Sequence, residues 1–292
     1  MGSAWKPLGA VAPKKLARIH EQPYQLAQWL GRFARGYLTP ADDDSHTSFV
    51  WHSENGAMAT NEASFGGKKV AFAFYPRDLI LSVIIDGVIG DEIAMHGRRD
   101  RDAGVWMAGV LEAHGADPVK LHDAAPYALL KTPYAQDAPY DAKTDVAGLS
   151  ELARYLDNAS LVLNEIVAAY GHVRPGPAPV RLWPHHFDIA TIITLEDGAF
   201  ETARAVGAGL AIPDKLHKEF YFYTYPWPRN ERKNLPPLRS NCSYQYDGFF
   251  GAVQTMSSVL AQGDQVGAVR EFFDETVTLF MDLLREEMAG RR

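Results

Sequence analysis

The sequence predicts an α+β fold, with mostly antiparallel strands in two groups flanked by helices. Three observations carry this expectation. Apolar residues recur at helical spacing in four long stretches, and short β-branched and aromatic runs bounded by turn residues lie between them. The strands also come in runs, where a parallel sheet would alternate them singly with helices. With 47% apolar and 22% charged residues in 292, the composition is that of an ordinary globular chain with room for a large core.

The helices follow in order. Pro23 suits a first helical turn, after which Leu26, Trp29, Leu30, Phe33 and Tyr37 recur on one face until Gly36 and Pro40 close the segment. A second helix carries Ala103, Met107, Val110, Leu111 and His114 and stops at Gly115. The third has the clearest stripe, with Leu149, Leu152, Leu156, Leu163, Val167 and Tyr170, ended by Gly171. Asp264 is a suitable N-cap for the last, whose inward face is Val266, Val269, Phe273, Val277, Phe280 and Leu284. A shorter helix is expected over 249–260.

The first strand group is expected at 47–52, 70–75, 79–86 and 88–95, with turns at Pro76-Arg77-Asp78 and Asp86-Gly87. The second group falls at 180–183, 188–195, 205–212 and 219–225, and the prolines at 226, 228, 236 and 237 then force a loop. Each half reads as helix, strands, helix, and each first strand holds a Trp near a His. That order is compatible with an internal duplication and a pseudo-twofold arrangement. The expected organisation is one globular unit, 1–292, with halves 1–115 and 146–292 joined by a connection over 116–145. This connection is rich in Pro and Tyr and reads as a linker pinned by its tyrosines, with a lid as the alternative.

Several function classes are excluded at this level. The net charge of −7 disfavours non-specific nucleic-acid binding. Cys242, the single cysteine, rules out an internal disulfide and a cysteine-built zinc site. The start of the chain lacks a secretory apolar run, and Lys6 stands where a myristoylation signal wants Ser or Thr. Leu79–Ile85 is far short of the ~20 apolar residues that cross a bilayer. A cytoplasmic protein without membrane or nucleic-acid partners is expected. No glycine-rich turn opens a helix, so a dinucleotide or P-loop site is not expected.

The densest chemistry lies in Leu182-Trp183-Pro184-His185-His186-Phe187-Asp188. Pro184 favours an extended Trp183, and in a continuing strand the faces alternate. His186 and Asp188 would then share one face, roughly 6–7 Å apart, as the pair suited to acid–base work. His185 would share the other face with Trp183 and Phe187. The plainer reading is that such histidines only satisfy their ring nitrogens inside a core. Zinc wants about three protein ligands, and this segment supplies two on one face, so it names no metal. A second cluster, Asp42-Asp43-Asp44-Ser45-His46, precedes Trp51-His52. His46 and His52 stand roughly 20 Å apart in a straight strand, too far to chelate one ion. Tyr221, Tyr223 and Tyr225 would line one face of a strand, either as core or as the wall of a cavity. Trp183, His185, His52, His46 and Tyr223 are accordingly the expected ligand-binding residues, beside His186 and Asp188 as the expected catalytic pair.

These residues also carry a resemblance. The chain resembles a bacterial family of uncharacterised proteins, catalogued as a domain of unknown function. The matching elements are Val119-Lys120-Leu121-His122, Tyr140-Asp141, the third helix, and Pro179 through Asp188 with its Trp-Pro-His-His-Phe-Asp core. Asp44-Ser45-His46-Thr47 and Tyr246-Asp247-Gly248-Phe249-Phe250-Gly251 extend it over most of the chain. The resemblance implies no activity, substrate or cofactor. Some members carry Trp-Gly-Ser-Phe-Asp in the same place, with no histidine pair, which leaves Asp188 as the more portable residue. The expectation is a protein holding a small polar ligand near Trp183–Asp188. The alternatives are a hydrolase or isomerase using the His–Asp pair, with or without a metal, and a purely structural or interaction protein.

Overall fold

The α+β expectation holds in a computed structural model, which describes residues 4–199, 201–228 and 235–290. Met1–Ser3 and part of the proline-rich loop, 229–234, lie outside the described residues. In chain order come α1 (Pro13–Ile19), α2 (Glu21–Tyr37), β1 (Val50–His52), β2 (Ala57–Ala59), β3 (Ala63–Phe65), β4 (Lys68–Tyr75), β5 (Ile80–Ile85), β6 (Val88–Ala94) and α3 (Asp100–Ala113). Then follow α4 (Val146–Ala169), β7 (Gly176–Pro177), β8 (Arg181–Trp183), β9 (Asp188–Thr194), β10 (Ala205–Ala211), β11 (Tyr221–Trp227), β12 (Ser243–Gln245), β13 (Gly251–Thr255), α5 (Met256–Leu260) and α6 (Gln265–Gly290). Among the described residues no helix is long and apolar enough to cross a membrane.

The chain divides into two compact units. Unit 1 comprises Met1–Ala17, Tyr155–Val180 and Asp188–Arg292, and unit 2 comprises Arg18–Arg154 and Arg181–Phe187. The expected connection over 116–145 therefore lies wholly inside unit 2, and the segment 181–187 returns to that unit after α4 and β7.

Unit 2 holds an antiparallel sheet in the order β1-β2-β4-β5-β6, with β3 also on β4. The expected turn at Asp86-Gly87 is a two-residue hairpin with both residues in the left-handed region, φ 50° and 79°. On one face α2 meets the sheet through Phe33 and Phe72, edge to face at 4.9 Å, and Phe72 meets Trp106 of α3 at 5.8 Å. Gly104 lets the two helices close: a Cβ there would lie 2.3 Å from the Trp29 ring.

Unit 1 is built on a second antiparallel sheet with the path β12-β13-β11-β10-β9-β7. Helix α6, capped by Asp264 accepting from Gly267 N at 2.9 Å, covers one face through Phe222–Phe273 and Phe250–Phe280 contacts. The other face carries Tyr221, Tyr223 and Tyr225, as strand alternation predicts. The expected helix over 249–260 is corrected to a strand followed by one short helix. Residues 251–255 form β13, of which 252–255 pair with β11, and the Thr255 side chain then caps α5 by accepting from Ser258 N. The open edge of β11 won over the local helical spacing.

Both units draw on discontinuous stretches of chain. A cut after residue 145 removes 146–154 and Arg181–Phe187 from unit 2, and Met1–Ala17 from unit 1. Fragments 1–145 and 146–292, expressed separately, should therefore lack cooperative urea transitions. Two cooperative transitions would show that each fragment keeps a complete core.

Candidate functional site

Helix α2 turns a row of three glutamines, spaced by three, toward the rest of unit 2. Gln22, Gln25 and Gln28 are all buried, so each amide must find partners inside the protein. Gln22 accepts from Asp141 N at 2.7 Å and donates to Asp145 at 3.0 Å. Gln25 accepts from Thr132 Oγ1 at 3.1 Å and donates to Asp100 Oδ2 at 3.2 Å. Gln28 accepts from Tyr127 Oη at 3.3 Å and donates to the Pro184 carbonyl at 2.8 Å. The 116–145 connection is thus a strap lying along α2. Its tyrosines do pin it: Tyr140 donates to Asp100 Oδ1 at 2.7 Å and Tyr127 to Gln28.

Asp100, the half-buried first residue of α3, gathers this network. Its carboxyl also accepts from Trp29 Nε1 at 3.0 Å. Burial raises its pKa, against the lowering effect of the Tyr140, Trp29 and Gln25 donors and the nearby Arg32 guanidinium. Three donors, two from α2 and one from the strap, make this carboxyl at the start of α3 a structural hub.

At the other end of the glutamine row lies the Trp-Pro-His-His-Phe-Asp element. The expected continuous strand is corrected here. β8 stops at Trp183 and β9 starts at Asp188, and Pro184–Phe187 form a turn with Phe187 in the left-handed region at φ 52°. A proline at the turn's start and a left-handed residue at its end break the alternation, so neighbouring side chains no longer point to opposite faces. The rings of His185 and His186 consequently touch, with centroids 4.1 Å apart. Half-buried His185 also meets Trp183 at 6.0 Å and Tyr127 at 5.6 Å, while His186 is exposed. Tyr127 in turn accepts from Arg35 Nη1 at 2.8 Å.

Burial, reinforced by the neighbouring His186, lowers the His185 pKa to about 4 against an opposing pull from Asp44. The ring is neutral throughout the physiological range. Neither imidazole of the pair has a hydrogen-bond partner among the described residues.

The remaining expected residues are engaged with partners of their own. Asp188 belongs to unit 1, at the start of β9, and accepts from Tyr223 Oη at 2.5 Å. Burial and the Asp188 charge both raise the Tyr223 pKa, so the pair is a tyrosine donating to a carboxylate. Tyr223 reaches β9 by lying over Gly209 of β10, where a Cβ would come 2.5 Å from its hydroxyl. His46 sits in a short turn and accepts from Ala41 N at 3.1 Å, and His52 pairs with Glu54 at 3.2 Å. These two histidines are held by local partners. Among the described residues no group of three His, Cys, Asp or Glu side chains converges as a metal site would require. Sequence reasoning missed Gln25, Gln28, Arg35 and Asp100. Polar residues repeating every three along a helix that also carries an apolar stripe were the available signal. Comparison with family models, curated proteins and solved structures finds no match for the chain.

Two outcomes follow. Replacing Asp100 by Ala strands the donors of Tyr140, Trp29 and Gln25 and should destabilise the protein by about 1–3 kcal/mol. Asp100→Asn, which keeps an acceptor, should lose less, as chemical denaturation would measure. For His185 the folded pKa lies below the ordinary 6.5, so the unfolded chain binds the proton first. Stability supplied by the neutral ring is intact above about pH 6.5 and lost as pH falls toward about 4. Urea unfolding from about pH 7 to about pH 4.5 should show wild type losing more stability than His185→Gln. Parallel losses would place the depressed pKa elsewhere.

Proposed function

We propose that unit 2 holds a small polar ligand at the Pro184–Phe187 turn, with His185 and His186 as its recognition groups. One observation carries the reading. Two imidazoles touch at 4.1 Å, one of them kept neutral by burial, and neither has a hydrogen-bond partner among the described residues. A neutral imidazole offers one donor and one acceptor, and with no protein partner these are free to meet a ligand from solvent. Tyr127, itself held by Arg35, packs on the His185 ring, and Gln28 fixes the turn through the Pro184 carbonyl. A ring with a pKa of about 4 is a weak base. It supports binding through hydrogen bonds better than proton abstraction, which wants a pKa near the working pH.

The test is thermal unfolding against a library of polar metabolites, followed by the same screen on His185→Gln and His186→Ala. A ligand at about a hundred times its Kd contributes about 2.7 kcal/mol. That raises Tm by several degrees in a chain of this size. At least one compound should do so in wild type and fail to in both variants. An equal response in all three proteins would remove the turn from consideration.

A further inference from the structure

Unit 2 also carries a cleft along α3. The face formed by Gly104, Val105, Ala108, Gly109 and Glu112 lines a cleft of about 660 Å³, walled by Trp29, Tyr134 and His122 among others. That volume is within the range of small-ligand pockets, roughly 300–1,000 Å³.

The two glycines of this face differ. Gly104 is required by packing, because a Cβ would strike the Trp29 ring. Gly109 is required by nothing in the fold, since a Cβ there would meet no atom within 4 Å. Glycine inside a helix is less favourable than alanine by about 0.8–1.0 kcal/mol. What Gly109 leaves is open room on the cleft floor. Beside it Val105 is 73% exposed, an apolar wall in contact with solvent.

The charges of the cleft select the ligand. Arg101 is the cationic lining residue, and it is drawn to Asp137 at 3.5 Å. Asp137 is already paired with Arg99, and Asp100 is occupied by its three donors. The side chains of Glu112 and His122 make no hydrogen bond or ion pair among the described residues. Glu112 also lies in the last turn of α3, where the helix dipole adds negative potential and favours a cation.

We infer that this cleft binds a small primary amine, its ammonium on the Glu112 carboxylate and its apolar body over the Gly104–Gly109 face. The site is independent of the histidine turn, and either can fail alone.

The experiment titrates the full chain with 2-phenylethylamine and 1,4-diaminobutane, reading the assigned Trp29 indole N–H resonance. The carboxylate 3-phenylpropionate is the control. A saturable shift is expected with at least one amine and none with the carboxylate. Glu112→Gln should weaken amine binding about tenfold, the loss of one charged hydrogen bond. Gly109→Leu should abolish binding by filling the floor, with Tm at or above wild type because leucine favours the helix. Absence of saturable binding by both amines, or carboxylate binding as tight as amine binding, overturns the proposal. So does amine affinity unchanged in Glu112→Gln, which decides the matter even if Gly109→Leu does not fold.

Discussion

In unit 2 the carboxyl of Asp100 is satisfied by donors from α2 and from the strap, while its own backbone opens α3. Trp29 and Gln25 stand one helical turn apart on α2, and Tyr140 closes the strap from the other side. Hydrogen bonds to a charged group are stronger than neutral ones, and a partly buried carboxylate without donors would be destabilising. The arrangement therefore couples α2, α3 and the strap through one carboxyl. It also determines the residue at 104, since Trp29 can reach Asp100 only by lying against a helix position that lacks a Cβ.

From this hub a polar seam runs along α2. Gln25 joins Asp100 to Thr132, and Gln28 joins Tyr127 to the carbonyl of Pro184. Buried amides of this kind are stabilising only when every donor and acceptor is matched, and here both ends of each glutamine are engaged. The seam has a directional consequence. A long strap that would otherwise lose much conformational entropy on ordering is fixed at several points along one rigid helix. The last of these points, Tyr127, is the ring packed on His185. The order of the turn thus derives from α2 more than from its own short sequence.

The fold class was legible because it rests on periodicity. Four long stripes gave α2, α3, α4 and α6, and alternating runs gave β4, β5, β9, β10 and β11. The shorter elements, such as β2, β3 and β12, carry too few residues for a period to emerge. At β13 tertiary pairing with β11 overrode local spacing. The candidate site was legible in residue type but not in geometry. Trp183, His185 and His186 stood out, yet a single left-handed residue, Phe187, undid the alternation on which their partners were assigned. Asp100 was hidden for a different reason. Its partners come from positions 25, 29 and 140, and no local pattern joins residues so far apart in the chain.

The Trp-Pro-His-His-Phe-Asp element shows why adjacency in sequence is a poor guide to shared chemistry. Its histidines belong to unit 2 and its aspartate to unit 1, and the two groups live under opposite conditions. Asp188 is 7% exposed and held by Tyr223, which lies flat over Gly209 to reach it. A substitution at either residue disturbs a buried hydrogen bond, so that pair is read as structure. The His185 ring packs on Tyr127 and Trp183 and the exposed His186 ring packs on His185, while their nitrogens take no protein partner among the described residues. Packing that orders a polar ring yet leaves its nitrogens to solvent contributes nothing that an apolar residue of similar shape would not contribute as well. The stability of this element therefore rests on Asp188 and Tyr223, and the open histidine nitrogens are what the proposed binding of a small polar ligand at the turn would use.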